Sequence, residues 1–159
     1  MSQDFAAACQ VYYDRVYRFL LALSGDPNQA EDLTQEVFYR ALLHIGRYQE
    51  QGQMFTWLCA IGKNLWLSQC RREGRRKHTL TDTPQPGPEE TLSAQEVQNA
   101  LRRAVAALPE DFRDVVILHV YGGISLKEIS AMKGKSDSWG KVTYYRAKQM
   151  LRKELEGLR

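Results

Sequence analysis

With 159 residues and a formal net charge of +3, the chain has room for one medium domain or two small helical ones. No apolar run approaches the roughly 20 residues of a membrane span, and the N-terminal MSQDF has neither the basic region nor the apolar core of a signal peptide. Cys9, Cys59 and Cys70 form no CxxC pair and are odd in number, which argues for reduced thiols in a cytoplasmic protein and against a disulfide frame or zinc site.

A first helix is expected over residues 3–24, where Phe5, Cys9, Tyr13, Val16, Leu20 and Leu23 recur every three or four positions as one core-facing stripe. Gly25 ends it. Asp26 then serves as an N-cap and Pro27 as the first helical residue of a second helix. That helix buries Ala30, Leu33, Val37, Ala41 and Leu42 or Ile45, and its other face shows Asp32, Gln35, Glu36, Tyr39 and Arg40. The polar face has two readings: an ordinary solvated surface, which the pattern alone favours, or an acidic docking surface for a partner.

Residues 44–54 are polar, carry two glycines and show no apolar period, so they read as a loop. A third helix is expected over residues 55–72, with Leu58, Ile61 and Leu65 inward and Trp57, Ala60, Asn64, Leu67 and Arg71 on a neighbouring face. Trp57 and Trp66 are ordinary core residues on one reading. On the other, aromatics, the amide of Asn64 and the terminal Arg71-Arg72 meet unstacked bases and backbone. Residues 73–94 change composition, with Pro84, Pro86 and Pro88 alternating, which excludes helix and sheet ladders and implies an extended linker. Such a linker would average about 26 Å end to end and reach about 75 Å at full extension.

Beyond the linker, a fourth helix over residues 94–108 buries Val97, Leu101, Val105 and Leu108, and Pro109-Glu110-Asp111 opens a fifth. Ser125 and Glu128 form a capping box for a sixth, and Gly134 supplies a left-handed stop. Ser136 or Asp137 then caps a seventh, over residues 138–155, with Lys141, Arg146, Lys148, Arg152 and Lys153 and no acid before Glu154. Short helix, glycine turn and basic helix make a helix-turn-helix, whose second helix enters the DNA major groove. A helical hairpin with a solvated basic face is the plainer alternative, but cap, turn and one-signed helix agree on DNA. The charge distribution does too: residues 1–72 carry 7 basic and 7 acidic groups, residues 95–159 carry 12 and 8.

The expected fold is therefore all-α: two small helical domains, 1–72 and 95–159, joined by a Pro-rich linker at 73–94, the second a four-helix helix-turn-helix unit. His44, His78 and His119 lie in separate segments without accompanying ligands, and no phosphate loop or nucleophile elbow is present. No enzyme, cofactor or metal site is expected.

The segments AEDLTQEVF (30–38), FTWLCAIGKNLWLSQCRR (55–72), ALPEDFRDVVILHVYGGISLKEIS (107–130) and YYRAKQMLRKEL (144–155) resemble the extracytoplasmic-function (ECF) class of bacterial sigma-70 factors over nearly the whole chain. The resemblance implies a transcription initiation factor that binds core RNA polymerase through Asp32, Gln35, Glu36 and Phe38. It implies melting and holding of a minus-ten promoter element by Trp57, Asn64, Arg71 and Arg72, with part of residues 44–54 around a flipped base. Lys141, Thr143, Arg146 and Lys148 would read a minus-thirty-five element, and the linker, with Asp82, Glu89 and Glu90, would thread the RNA exit path. Because the chain starts directly with its first helix, an external anti-sigma partner is expected to restrain it. Ser68 stands where the family usually has Asp, and Gly140 where it usually has Val. The rival reading is a stand-alone two-domain helix-turn-helix regulator.

Overall fold

The computed structural model describes residues 2–45, 53–79 and 93–157, with side chains at all of these except 2–4, 8 and 75–79. Among the described residues the regular structure is helix alone: α1 (Ser2–Ser24), α2 (Pro27–Leu43), α3 (Met54–Thr79), α4 (Ala94–Ala106), α5 (Glu110–Val116), α6 (Leu126–Met132) and α7 (Asp137–Glu156). Residues 46–52 of the loop expected at 44–54 and residues 80–92 of the linker expected at 73–94 lie outside the described residues.

The α1–α2 corner forms as its residues dictate. Gly25 takes φ +74, Pro27 opens α2, and the Asp26 carboxylate accepts from the Asn28 N–H at 3.0 Å. Val16, Leu20 and Leu23 of α1, Leu33 and Val37 of α2, and Leu58 of α3 fill the space between the three helices. Gly62 lets α3 lie close on the other two, since a Cβ there would come within 3.2 Å of Leu20 and 3.3 Å of Val37. Leu42 and Val97, expected inside, are both exposed, and Ile45 is half-buried. α3 also continues to Thr79, past its expected end at residue 72. The Arg, Glu and Lys of this stretch are good helix formers and carry the helix on without an apolar period in the sequence.

α4 begins at a complete capping box: the Ser93 hydroxyl accepts from the Glu96 N–H at 3.2 Å, and the Glu96 carboxylate accepts from the Ser93 N–H at 2.8 Å. α5 widens into a π turn over Ile117–Tyr121, with the Gly122 N–H donating five residues back to Ile117 O at 3.2 Å. The Ser125 hydroxyl caps α6 by accepting from the Glu128 N–H at 3.1 Å, and Gly134 takes φ +68 in the turn before α7. Gly140 is the close point between α6 and α7. A Cβ there would meet Ser130 Oγ at 2.6 Å and Leu126 O at 2.7 Å, and its N–H instead donates to Ser130 Oγ at 2.9 Å.

The two helical groups touch. The π turn packs on α1 and α3, burying Ile117 and Leu118 in a core continuous with Val16 and Leu58. Lys63 Nζ lies 3.0 Å from the Asp114 carboxylate, which also meets Lys133 Nζ at 2.7 Å and Arg113 Nε at 3.4 Å. The Thr56 hydroxyl donates to Glu128 at 2.5 Å, and the Arg102 guanidinium donates to the Ala22 carbonyl at 3.1 and 3.2 Å.

Candidate nucleic-acid and partner interfaces

The α2 surface opposite its buried Ala30, Leu33, Val37 and Ala41 presents Asp32 and Gln35 to solvent, with Glu36 half-exposed and bonded to Arg40 at 2.9 Å. Tyr39 is 59% and Leu43 60% exposed on the same stripe, because residues 32, 36, 39 and 43 recur at helical spacing. An acidic face carrying large apolar side chains is the mixed composition of a protein–protein interface. The sequence reading placed Leu42 or Ile45 in the core and left Leu43 unassigned. Phe38 is buried against Tyr13, ring centroids 5.4 Å apart, and so supports this face from beneath without presenting its ring.

On α3, Trp57, Asn64 and Arg72 line one cleft of about 390 Å³ with Arg40, His44, Ile61, Leu65 and Ser68. Its walls combine a half-buried indole, apolar side chains, an exposed amide and two guanidinium groups. Such a cleft can stack a base, meet its edge and hold its phosphate. Arg71 does not join it. It donates to Ser68 Oγ at 3.3 Å and lines a separate cleft of about 490 Å³ between the helical groups, with Trp66, Cys70, Arg102 and Arg103. Leu67, expected on the amide face, is buried. Burial also pushes the Cys59 thiol up to about 12 and the Cys70 thiol up to about 11.

α7 buries Gly140, Thr143, Ala147 and Leu151 along one stripe. Lys141, Arg146, Lys148, Arg152 and Lys153 are exposed, together with Tyr145 and Gln149. Thr143, expected to read bases, is 5% exposed on the packed side and lines a cleft with Phe112 and Trp139. Gln149 donates to the Tyr145 hydroxyl at 3.0 Å on the open side; a search for positive charge passed over this amide. Lys148 sits 4.7 Å from the Tyr144 ring centroid, and the His119 ring meets that ring edge-on at 4.8 Å. His119 Nδ1 lies 2.8 Å from Ile124 O and must carry the proton to bond it.

Two family models match the chain in order: Sigma-70 region 2 over residues 9–76 and Sigma-70, region 4 over residues 98–151. The chain belongs to the sigma-70 family. Within it this sigma factor falls in the ECF class. It is 36% identical to the ECF RNA polymerase sigma factor SigE of Mycolicibacterium smegmatis, over 87% of this chain and 56% of that protein. To SigW of Bacillus subtilis it is 26% identical, over 97% and 90%. The fold is shared with the sigma factor RpoE from Bartonella quintana, solved with the anti-sigma factor NepR, at a TM-score of 0.63 and 24% identity over 99% of both chains. CnrH, solved with the cytosolic domain of CnrY, gives a TM-score of 0.60 at 16% identity, over 99% of this sigma factor and 90% of CnrH. Among the described residues no helix is long and apolar enough to cross a membrane.

Proposed function

We propose that this ECF sigma factor joins core RNA polymerase through the α2 face and directs it to promoters by two separate DNA contacts. Asp32, Gln35 and Glu36, flanked by Tyr39 and Leu43, form the polymerase-binding surface. The α3 cleft traps unpaired minus-ten bases, with Trp57 stacking, Asn64 meeting a base edge and Arg72 holding phosphate; Arg71 contributes charge from the adjoining face. The exposed side of α7 enters the major groove of the minus-thirty-five element with Lys141, Arg146 and Lys148, and Gln149 and Tyr145 extend the same surface. The protein acts by binding, in the cytoplasm, and makes or breaks no covalent bond. An anti-sigma partner restrains it, in keeping with the sigma factor RpoE solved in complex with the anti-sigma factor NepR.

The observation that carries this reading is the order of the two sigma-70 regions on one chain, each with an exposed polar helix face. The test is run-off transcription with purified core polymerase and a fragment upstream of the protein's own gene. A defined transcript is expected, and Asp32→Ala with Glu36→Ala should abolish it while duplex binding persists. Tight duplex binding with no transcript on any of a panel of host promoters would overturn the reading.

A further inference from the structure

Gly140, Thr143, Ala147 and Leu151 mark the buried stripe of α7, and the residues directly opposite that stripe are not its cations. Successive positions on a helix turn by about 100°, which sets Ser138, Val142, Tyr145 and Gln149 within about 40° of the line facing away from the packed side. All four are exposed, Val142 at 47% and Tyr145 at 59%. Lys141, Lys148 and Arg152 lie about 45° or more to one side of this line, and Arg146 and Lys153 to the other. The face therefore has an uncharged midline between two cationic flanks. We infer, on the proposed entry of α7 into the major groove, that Tyr145 and Gln149 act as one unit that reads an adenine in the duplex, while the flanking cations grip the two backbones.

The shape of the groove divides the labour. A helix lying in it turns its midline to the base edges on the floor and its flanks to the phosphates on either wall. The ammonium and guanidinium groups meet those phosphates, and Lys148 is held on its flank, 4.7 Å from the Tyr144 ring centroid. Guanine is read best by arginine or lysine, and the midline from Ser138 to Gln149 carries neither. It carries instead an apolar branch at Val142 and, one turn on, a hydrogen-bonded pair.

That pair has a definite polarity. Gln149 Nε2 donates to the Tyr145 hydroxyl at 3.0 Å, which leaves the phenol proton as a donor and the amide carbonyl as an acceptor. With the amide turned over, the phenol proton is spent on the carbonyl, and the amide N–H becomes the donor beside the phenol oxygen as acceptor. Both arrangements offer one donor next to one acceptor. Adenine is the base whose own major-groove edge answers this, with N7 accepting and N6–H donating; guanine would face the acceptor of the pair with a second acceptor. The mutual bond also orders both side chains before DNA arrives, which lowers the cost of binding. Val142 precedes Tyr145 by about 4.5 Å along the axis at 1.5 Å per residue, a little over one base step, and supplies apolar surface for the C5 methyl of a neighbouring thymine.

Run-off transcription by the full chain with core polymerase tests the pair, on promoter fragments in which each base pair of the minus-thirty-five element is changed in turn to the other three. The wild type is expected to lose about tenfold or more at one A·T pair when it becomes G·C. Tyr145→Phe, which removes only the hydroxyl, and Gln149→Ala should each flatten that position to within about twofold and leave discrimination elsewhere unchanged. Lys148→Ala should weaken every fragment alike and reduce the salt slope of duplex binding by about 1. If both variants keep the wild-type discrimination at every position, the pair is an ordinary surface contact between positions four apart, and it reads no base. If the position they flatten is a G·C pair, adenine is overturned as its target. A Lys148→Ala protein that alters the preference at a single position would overturn the division between midline and flanks. Absence of any transcript from the wild type fails the sigma-factor reading instead, and direct binding of the full chain to the same duplexes then decides, by the same pattern, whether the pair reads adenine.

Discussion

α3 and α7, the two helices proposed to meet DNA, are packed by similar means and present different chemistry. α3 rests on an apolar seam of Leu58, Cys59, Trp66 and Leu67, with Gly62 drawing it against α1 and α2. It presents an aromatic-walled cleft with few cations. α7 packs Thr143, Ala147 and Leu151 inward and crosses α6 at Gly140, while the Asp114 carboxylate of α5 joins Lys133 at the end of α6 to Lys63 of α3. It presents exposed cations along the side away from its packed stripe. The lesson is chemical: unpaired bases need a cavity with a stacking wall, whereas duplex phosphate needs charge at regular spacing on a rigid rod.

The contrast breaks most sharply at Asp114. Asp114→Ala strands Lys63, Lys133 and Arg113 around a vacated anion and should cost about 3–5 kcal/mol, a Tm fall of roughly 10 °C or more in thermal unfolding. The pH dependence has a definite sign. Burial by itself raises the Asp114 carboxyl, but the Lys133 hydrogen bond and the Lys63 ammonium outweigh it and hold it below the ordinary carboxylate value. Its stabilisation is thus complete above that value and lost as pH falls through the lowered one. Burial lowers the Lys63 ammonium, against the pull of Asp114. Hydrogen-exchange protection in α6 and α7 should fall on acidification before that of α1–α3.

Gly140→Val, installing the residue usual in the family, should come next. Its side chain would be driven into Ser130 Oγ and the Leu126 carbonyl, at a cost of about 1–3 kcal/mol plus a shifted α7. Duplex binding should weaken while single-strand binding holds. A variant as stable as the wild type would show that α6 and α7 are freer to part than their crossing implies.

Salt titrations sharpen the comparison at smaller cost. If all five exposed basic residues of α7 engage, duplex binding should fall with a log–log slope near −4.5, at about −0.9 per phosphate. A minus-ten single strand meeting Arg71 and Arg72 should show only about −1.4, at about −0.7 per phosphate. Trp57→Ala should weaken the second by about 1–3 kcal/mol and leave its slope unchanged. Equal slopes would erase the distinction. The smallest effect belongs to Arg40→Ala, whose exposed pair with Glu36 should alter unfolding free energy by no more than about 0.5 kcal/mol.

The α1–α2 corner at Asp26-Pro27, the Ser125 cap and the Gly134 turn were legible because their causes act within a few residues, whereas the end of α3 was missed and Ser136 makes no side-chain cap at α7. The α2 and α7 faces were legible to the extent that helical spacing defines a face. The resemblance gave Thr143 and Phe38 contact roles, whereas the helical period puts each on the packed side. The Glu128 carboxylate marks another limit. Its spacing from Ser125 predicted the capping box, and the Ser125 half forms, yet the carboxylate is bonded across the molecule to Thr56. Lys63 and Asp114 are 51 positions apart, and no periodicity joins residues on separately folded groups. The glycine at 140 looked like a helix-weakening departure; only the α6 crossing reveals the space it vacates.

The π turn at Ile117–Tyr121 also carries an evolutionary consequence. It holds one residue more than an α-helix would need to cover the same rise. Deleting any one residue there would let the ordinary ladder re-form over the same rise, so α6 and α7 would keep their placement and only the side chains at the turn would shift. A relative one residue shorter in this turn should therefore present its DNA-reading helix in nearly the same place, so an alignment gap here marks length absorbed locally and not a helix turned away.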